Sequence, residues 1–416
     1  MITTGRRAFL SLFGGFALAP RASSARSRGR TALYASVGPT LTHYTVDVPS
    51  ATITRRGDIT LPANVQYAWP HANCRFLYVA SSDAMVGPGG RAGSSHYLNA
   101  CRIAPTGELA FHGDPIRLPS RPIHLCTDIP SEHVLVAFNN PSALRVYRIG
   151  PDGTLAGEIP QSGRIDAGFY AHQVRVAPNN RFAILVTRGN DAARGRPEDP
   201  GALKVFRYDH GRLTNEVSVA PGGGLGFGPR HVDFHPSRPW LYVSRERENA
   251  LSLFRMAGER ILPEPVFTKS TLAAPSATRQ QAGAVHVHPN GRFVYGVNRL
   301  DLAAIVPGAP LVAHGENSLV VFAINPATGE PTPVQHIDTG GVHDRTFHID
   351  PTGRVLVTAP IRSVEVCDGA GVRTVTAGLT VFRIRRDGML EHVRKVEIDA
   401  GDSQLFWSGM VALPAA

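Results

Sequence analysis

The sequence predicts an all-β fold: a single seven-bladed β-propeller whose last blade is closed by strands from the two ends of the chain. Three observations carry this: a repeated strand-turn-strand phrase, a second strand element after each copy, and no segment with helical periodicity. The phrase recurs as "VQYAWPHANCRFLYVAS", "HQVRVAPNNRFAILVTR", "HVDFHPSRPWLYVSR", "VHVHPNGRFVYGVNR" and "FHIDPTGRVLVTAP", with a worn copy in "IHLCTDIPSEHVLVAFN". In each, alternating apolar residues lead to a proline and a turn, and a β-rich run follows. The marker residues Pro70, Pro130, Pro178, Pro236, Pro289 and Pro351 stand 48 to 62 residues apart. That interval suits one four-stranded blade with insertions.

The second element appears as "SALRVYRIGPDGTL", "GALKVFRYDHGRL", "NALSLFRMAGERI", "NSLVVFAINPATGE" and "AGLTVFRIRRDGML". Turns such as Asp152-Gly153 and Asp387-Gly388 mark hairpins to an outer strand. Six copies are visible, and the ends supply the seventh. "TALYASVGPTLTHYTVDV" reads as later strands and "SQLFWSGMVAL" as an opening strand, so pairing them leaves no open edge. The propeller is expected to span residues 26–416. Long inserts at Gly87–Ser95, Asp191–Pro200, Pro221–Gly228, Thr271–Gln281 and Asp301–Glu316 are expected to fringe the mouth of the central channel.

Composition agrees with a turn-rich globular protein: 416 residues, 43% hydrophobic, 18% charged, with 42 Gly and 33 Pro. The net charge of +10 comes almost wholly from arginine, with Lys only at 204, 269 and 395. It forms no aromatic-interleaved basic run, which argues against nucleic acid. Scattered guanidiniums suit a small anion, whose oxygens they can hold two at a time. Residues 1–25 are read separately. Arg6-Arg7 before Ala8-Phe9-Leu10, a short apolar run and Ala22 or Ala25 as cleavage positions resemble a twin-arginine export signal, although Gly5 and Ser11 depart from it. The expected location is periplasmic or secreted, or cytoplasmic if the segment does not act as a signal, with no membrane association after cleavage. Cys74, Cys101, Cys126 and Cys367 form no CxxC pair and are read as free thiols, and the protein as a monomer.

First strands of blades line a propeller's channel, so polar residues at their entrances should converge. These are His172, the pair Arg230-His231, His286 and Arg345, with Glu246 just after "WLYVS". Asp344 stands beside Arg345 and could pair with it. His231, Asp233 and His235 share one strand face and suggest metal ligation, but His235 precedes Pro236 and recurs as His288, which marks a turn residue. No metal or cofactor is expected.

The strings "GPRHVDFHP", "WLYVSRE", "AHQVRVAPNNRF" and "AVHVHPNGRFVYGVN" closely resemble the lactonase seven-bladed propeller family, which includes 6-phosphogluconolactonases and fungal carboxymuconate-cyclase relatives. The resemblance runs from about residue 31 to the C-terminus. It implies an active site of His172, Arg230 and Glu246, with His231, Arg279, His286 and Arg345 binding an anionic lactone. Two departures are Asp344-Arg345-Thr346-Phe347 in place of Pro-Arg-Gly-Phe, and Arg245 in place of Asn. Opening a lactone needs a base for water and a cation for the oxyanion. Glu246 is the expected base, Arg230 the electrophilic partner, and His172 the residue that positions water or protonates the leaving alkoxide; the roles of Glu246 and His172 could be exchanged. The alternatives are a propeller that binds a ligand or protein without catalysis, and a cyclase-like lactonising enzyme.

Overall fold

The computed structural model describes residue 1 and residues 30–85, 91–301, 309, 311, 315–367 and 371–413. The expected export signal lies outside these, apart from Met1. Seven antiparallel sheets of four or five strands form the ring. Their innermost strands are Asn64–Pro70, Pro122–Thr127, Ala171–Val176, Pro229–Phe234, Gln280–Val287, Asp344–Ile349 and Leu405–Ala412.

The ring closes as expected. The C-terminal strand Leu405–Ala412 pairs antiparallel with Thr31–Val37, with Thr31 opposite Ala412 and Ala35 opposite Ser408. Thr40–Asp47 and Thr52–Thr60 complete that blade outward. One departure sits in the Asp344–Ile349 blade. A hairpin of Val364–Cys367 and Val372–Val375 interrupts it between its second and third strands, and Leu311 of the 301–316 insert bridges to Val366.

Each interface between neighbouring blades has its own apolar core. Leu135 and Val146 meet Val174, Leu185 and Phe206; Ile184 and Val205 meet Val232, Leu241 and Phe254. The same arrangement recurs around the ring. The alternating sequence pattern therefore fills the spaces between sheets, since each sheet buries both faces against its neighbours.

The turns after the marker phrases are anchored by the residue before the proline or turn. His235 Nδ1 accepts from the Ser237 and Arg238 N–H groups while Nε2 bonds the Gly291 carbonyl at 2.8 Å. His288 bonds Gly353 in the same way. Asp350 Oδ1 accepts from the N–H groups of Arg354 and Val355. His235 is thus occupied away from His231 and Asp233, and the three do not assemble as a ligand set. The four cysteines are unpaired.

Candidate active site

Every innermost strand carries one extra residue where its register against the second strand slips by one, near the entry in all but Gln280–Val287, where it falls between Ala282 and Val285. The extra residues include Gln66, His172, Arg230 and Arg345. A bulge turns its residue out of strict alternation. That is how adjacent Arg230 and His231 both come to the channel: Arg230 contacts Glu246, and the His231 ring lies 5.3 Å from that of His172.

The centre is built on one carboxylate. Glu246, 2% exposed, follows the second strand Trp240–Arg245 and is fixed by its N–H to the Gly228 carbonyl. Arg188 Nη1 donates to its Oε2 at 2.8 Å, Arg299 Nη2 donates to Oε1, and Arg230 Nε stands 3.0 Å from Oε1. Burial alone would raise the carboxyl, but Arg188, Arg299 and Arg230 outweigh it and hold the group far below the usual carboxylate range. Both oxygens are engaged by cations, so Glu246 is a poor proton acceptor and serves as the counter-ion that gathers three guanidiniums. This pairing favours the exchanged assignment, with His172 as the base.

His172 takes that part better. It is 6% exposed, and its Nδ1 is buried without a hydrogen-bond partner. Burial first, then Arg230, His231, Arg345 and Arg188, push it well below the usual histidine value, leaving a neutral ring with a nitrogen able to accept.

Arg230 is 1% exposed, and its Nε and Nη1 have no aligned hydrogen-bond acceptor. Burial, reinforced by Arg299 and opposed by Glu246, lowers it to about 9. Buried donors are almost always satisfied, so these can serve water or an anionic ligand. Arg345 lies over the Phe406 ring, 3.8 Å from its centroid, and has no carboxylate partner among the described residues. Asp344 does not pair with it. Its carboxylate accepts from Thr339 and Thr358 hydroxyls at 2.6 and 2.8 Å, because the bulge at Arg345 sends the two side chains apart. Arg121 approaches the same phenyl ring at 5.6 Å and donates to Gln66 Oε1 at 2.7 Å.

Two expected residues fall elsewhere. Arg279 is half exposed at the rim, paired with Asp191 and, at 3.0 Å, with Asp301. That blade sends Arg299 to the centre instead. His286 lines the opposite half of the channel, 4.0 Å from Asp233 and packed edge-on against Phe347. Four of the expected inserts touch at the rim: Arg279 of 271–281 pairs with Asp191 of 191–200 and Asp301 of 301–316, and the Gly226 N–H of 221–228 donates to Glu198.

Arg188 and Arg299 were missed by sequence reasoning, although the signal was present. They end "AILVTR" and "FVYGVNR", matching the strand exit that Glu246 occupies in the blade between them.

A family model described as lactonase, 7-bladed beta-propeller, matches residues 31–367. The 6-phosphogluconolactonase of Bacillus subtilis (strain 168) is 28% identical over 303 residues, covering 71% of this chain and 77% of that one. That of Serratia proteamaculans (strain 568) is 24% identical over 309 residues, covering 74% and 81%. Among solved structures, a Pseudomonas aeruginosa periplasmic gluconolactonase superposes with a TM-score of 0.69 at 20% identity, covering 92% of this chain and all of that one. A Lactobacillus plantarum protein gives the same score at 19% identity, covering 92% and 99%; both show the fold. With most of the ring matched by the family model, the chain belongs to the lactonase seven-bladed β-propeller family.

Proposed function

We propose that this protein is a lactone hydrolase that opens an anionic lactone by attack of water, in the manner of its 6-phosphogluconolactonase relatives. The observation that carries the reading is the charge imbalance at the channel centre. Arg188, Arg230 and Arg299 share one carboxylate, while Arg345 and Arg121 contact none. An anionic substrate supplies the missing charge, and guanidiniums suit its oxygens.

In this mechanism the His172 ring takes a proton from water as the water oxygen bonds to the lactone carbonyl carbon. Arg230 donates to the oxyanion that forms, in a site where burial strengthens the interaction. The ring C–O bond then breaks, and the proton held by His172 passes to the departing alkoxide. One water is consumed and a hydroxy acid is released. Glu246 stays ionised throughout and keeps the arginines in place. The bound anion offsets the cations that depress His172, so substrate itself raises the basicity of the ring.

The test is hydrolysis of 6-phosphogluconolactone, gluconolactone and carboxymuconolactone by the purified chain. Arg345→Ala is expected to raise KM for the charged lactones about tenfold or more with kcat less affected, as loss of one charge-assisted contact removes ~1.5–3 kcal/mol. No turnover of any of the three would overturn the hydrolase reading. Equal KM in wild type and variant would remove Arg345 from the site.

Export through the Arg6-Arg7 segment is part of the same proposal. The mass of the mature N-terminus from cells decides it, an uncleaved Met1 form being the contrary result.

A further inference from the structure

The channel's other half holds a second cavity, of about 280 Å³, built from six of the seven innermost strands. Its aromatic wall is Tyr67, Trp69, Phe347 and Trp407, and its polar wall includes Arg175, His286 and His348. His231 marks the boundary with the arginine centre, facing this cavity while its ring neighbours His172.

The two halves differ in charge. Here the cation is neutralised in place: Arg175 Nη1 donates to Asp233 Oδ1 at 3.0 Å, and Asp233 Oδ2 accepts from the Val287 N–H at 2.8 Å. The histidines are neutral. His348 Nδ1 bonds the Ile349 carbonyl at 2.9 Å and burial lowers the ring to about 3; His286, its Nδ1 4.0 Å from Asp233, is likewise lowered by burial first. The His348 ring donates to a backbone carbonyl, which fixes its tautomer and leaves Nε2 as an acceptor. Donors line the same cavity. The Trp69 and Trp407 indole N–H groups and the Tyr67 hydroxyl, all on residues that line the cavity, have no hydrogen-bond partner among the described residues. An anion would leave the histidine acceptors unmatched, and a cation would leave the indole donors unmatched. Groups that donate and accept together, on a ring able to lie against aromatic faces, satisfy both.

We propose that this cavity binds a neutral polyhydroxylated ring, a monosaccharide or cyclic polyol, independently of the arginine centre. The inference stands on the donor and acceptor inventory and on charge balance, and holds whether or not the hydrolase reading does.

Two of the three tryptophans line the cavity, while Trp240 packs against His235 in a blade turn. Intrinsic fluorescence therefore reports occupancy. The full chain is titrated with D-glucose, D-galactose, D-mannose and myo-inositol, and with sodium gluconate as the charged counterpart. At least one neutral probe is expected to give a saturable change with Kd on the order of 1 mM. His348→Leu is expected to weaken it about tenfold, the loss of one buried hydrogen bond. His348→Gln, which keeps an acceptor, is expected to retain binding within about threefold and shows that weakening by leucine is not misfolding. Lactone hydrolysis should be unchanged in both variants. No saturable response to any neutral probe overturns the proposal, as does tighter gluconate binding that His348→Leu abolishes.

Discussion

At the scale of single residues, Glu246 and His172 separate by what each can do with a proton. Glu246 contacts Arg188, Arg230 and Arg299, so removing its charge leaves three buried guanidiniums facing one another. Glu246→Gln is expected to destabilise the fold by about 3–5 kcal/mol, the usual cost of orphaning a buried ion pair, and to lower activity with it. His172 holds no charge and its Nδ1 makes no hydrogen bond. His172→Ala is therefore expected to lower kcat by about 10²–10⁴, as for loss of a general base, while shifting the urea midpoint far less than Glu246→Gln. Urea unfolding and steady-state kinetics on the two variants check the division. If His172→Ala keeps near-wild-type kcat while Glu246→Gln loses turnover without losing stability, the carboxylate is the base after all.

At the scale of elements, blades are stapled by tyrosines on their second strands. Tyr34, Tyr78, Tyr242 and Tyr295 donate to the carbonyls of Gly107, Gly153, Gly329 and Gly388, each in a turn of the next blade, at 2.7 to 3.1 Å. Gly329 has φ +81°, and a Cβ there would come within 2.8 Å of the Trp240 ring, so only glycine brings the turn so close. Tyr242→Phe is expected to cost about 1 kcal/mol in urea unfolding with kcat unchanged, because the turn lies away from the channel centre; no loss would make the contact incidental. These turns were readable beforehand, since Asp152-Gly153 and Asp387-Gly388 announce hairpins through local backbone chemistry. The entry bulges were not. A bulge at Arg230 or Arg345 leaves no local signature, yet it decides that Arg345 and Asp344 part and that Arg230 joins His231. Arg279 and Arg299 lie on one blade and mark the other side of this limit: Arg299 matches the strand exit of Glu246 in the repeat, while Arg279 precedes the innermost strand and stays at the rim.

At the scale of the whole molecule, the channel concentrates buried histidines that folding keeps neutral. His124, His172, His231 and His343 lie well below the ordinary value, each through burial first and neighbouring arginines second, and burial takes His348 to about 3. In the unfolded chain these rings titrate near ~6.5. Below that pH the unfolded state binds protons that the folded state refuses, so stability falls as pH drops. Asp344 acts in the opposite sense. Burial raises it from 3.8 to about 6, so across that window the folded state binds the extra proton and this one group favours folding toward acid. Five histidines outweigh one carboxyl, and each contributes up to ~1.4 kcal/mol per pH unit once its unfolded form is protonated. The ring should therefore lose several kcal/mol per pH unit below about pH 6, enough to exhaust the marginal stability of a folded domain within one to two units. Urea midpoints at stepped pH between 8 and 4.5 measure this directly. A plateau down to pH 5 would mean that the histidines are protonated in the folded channel, and with them His172, which would then be unable to accept a proton from water.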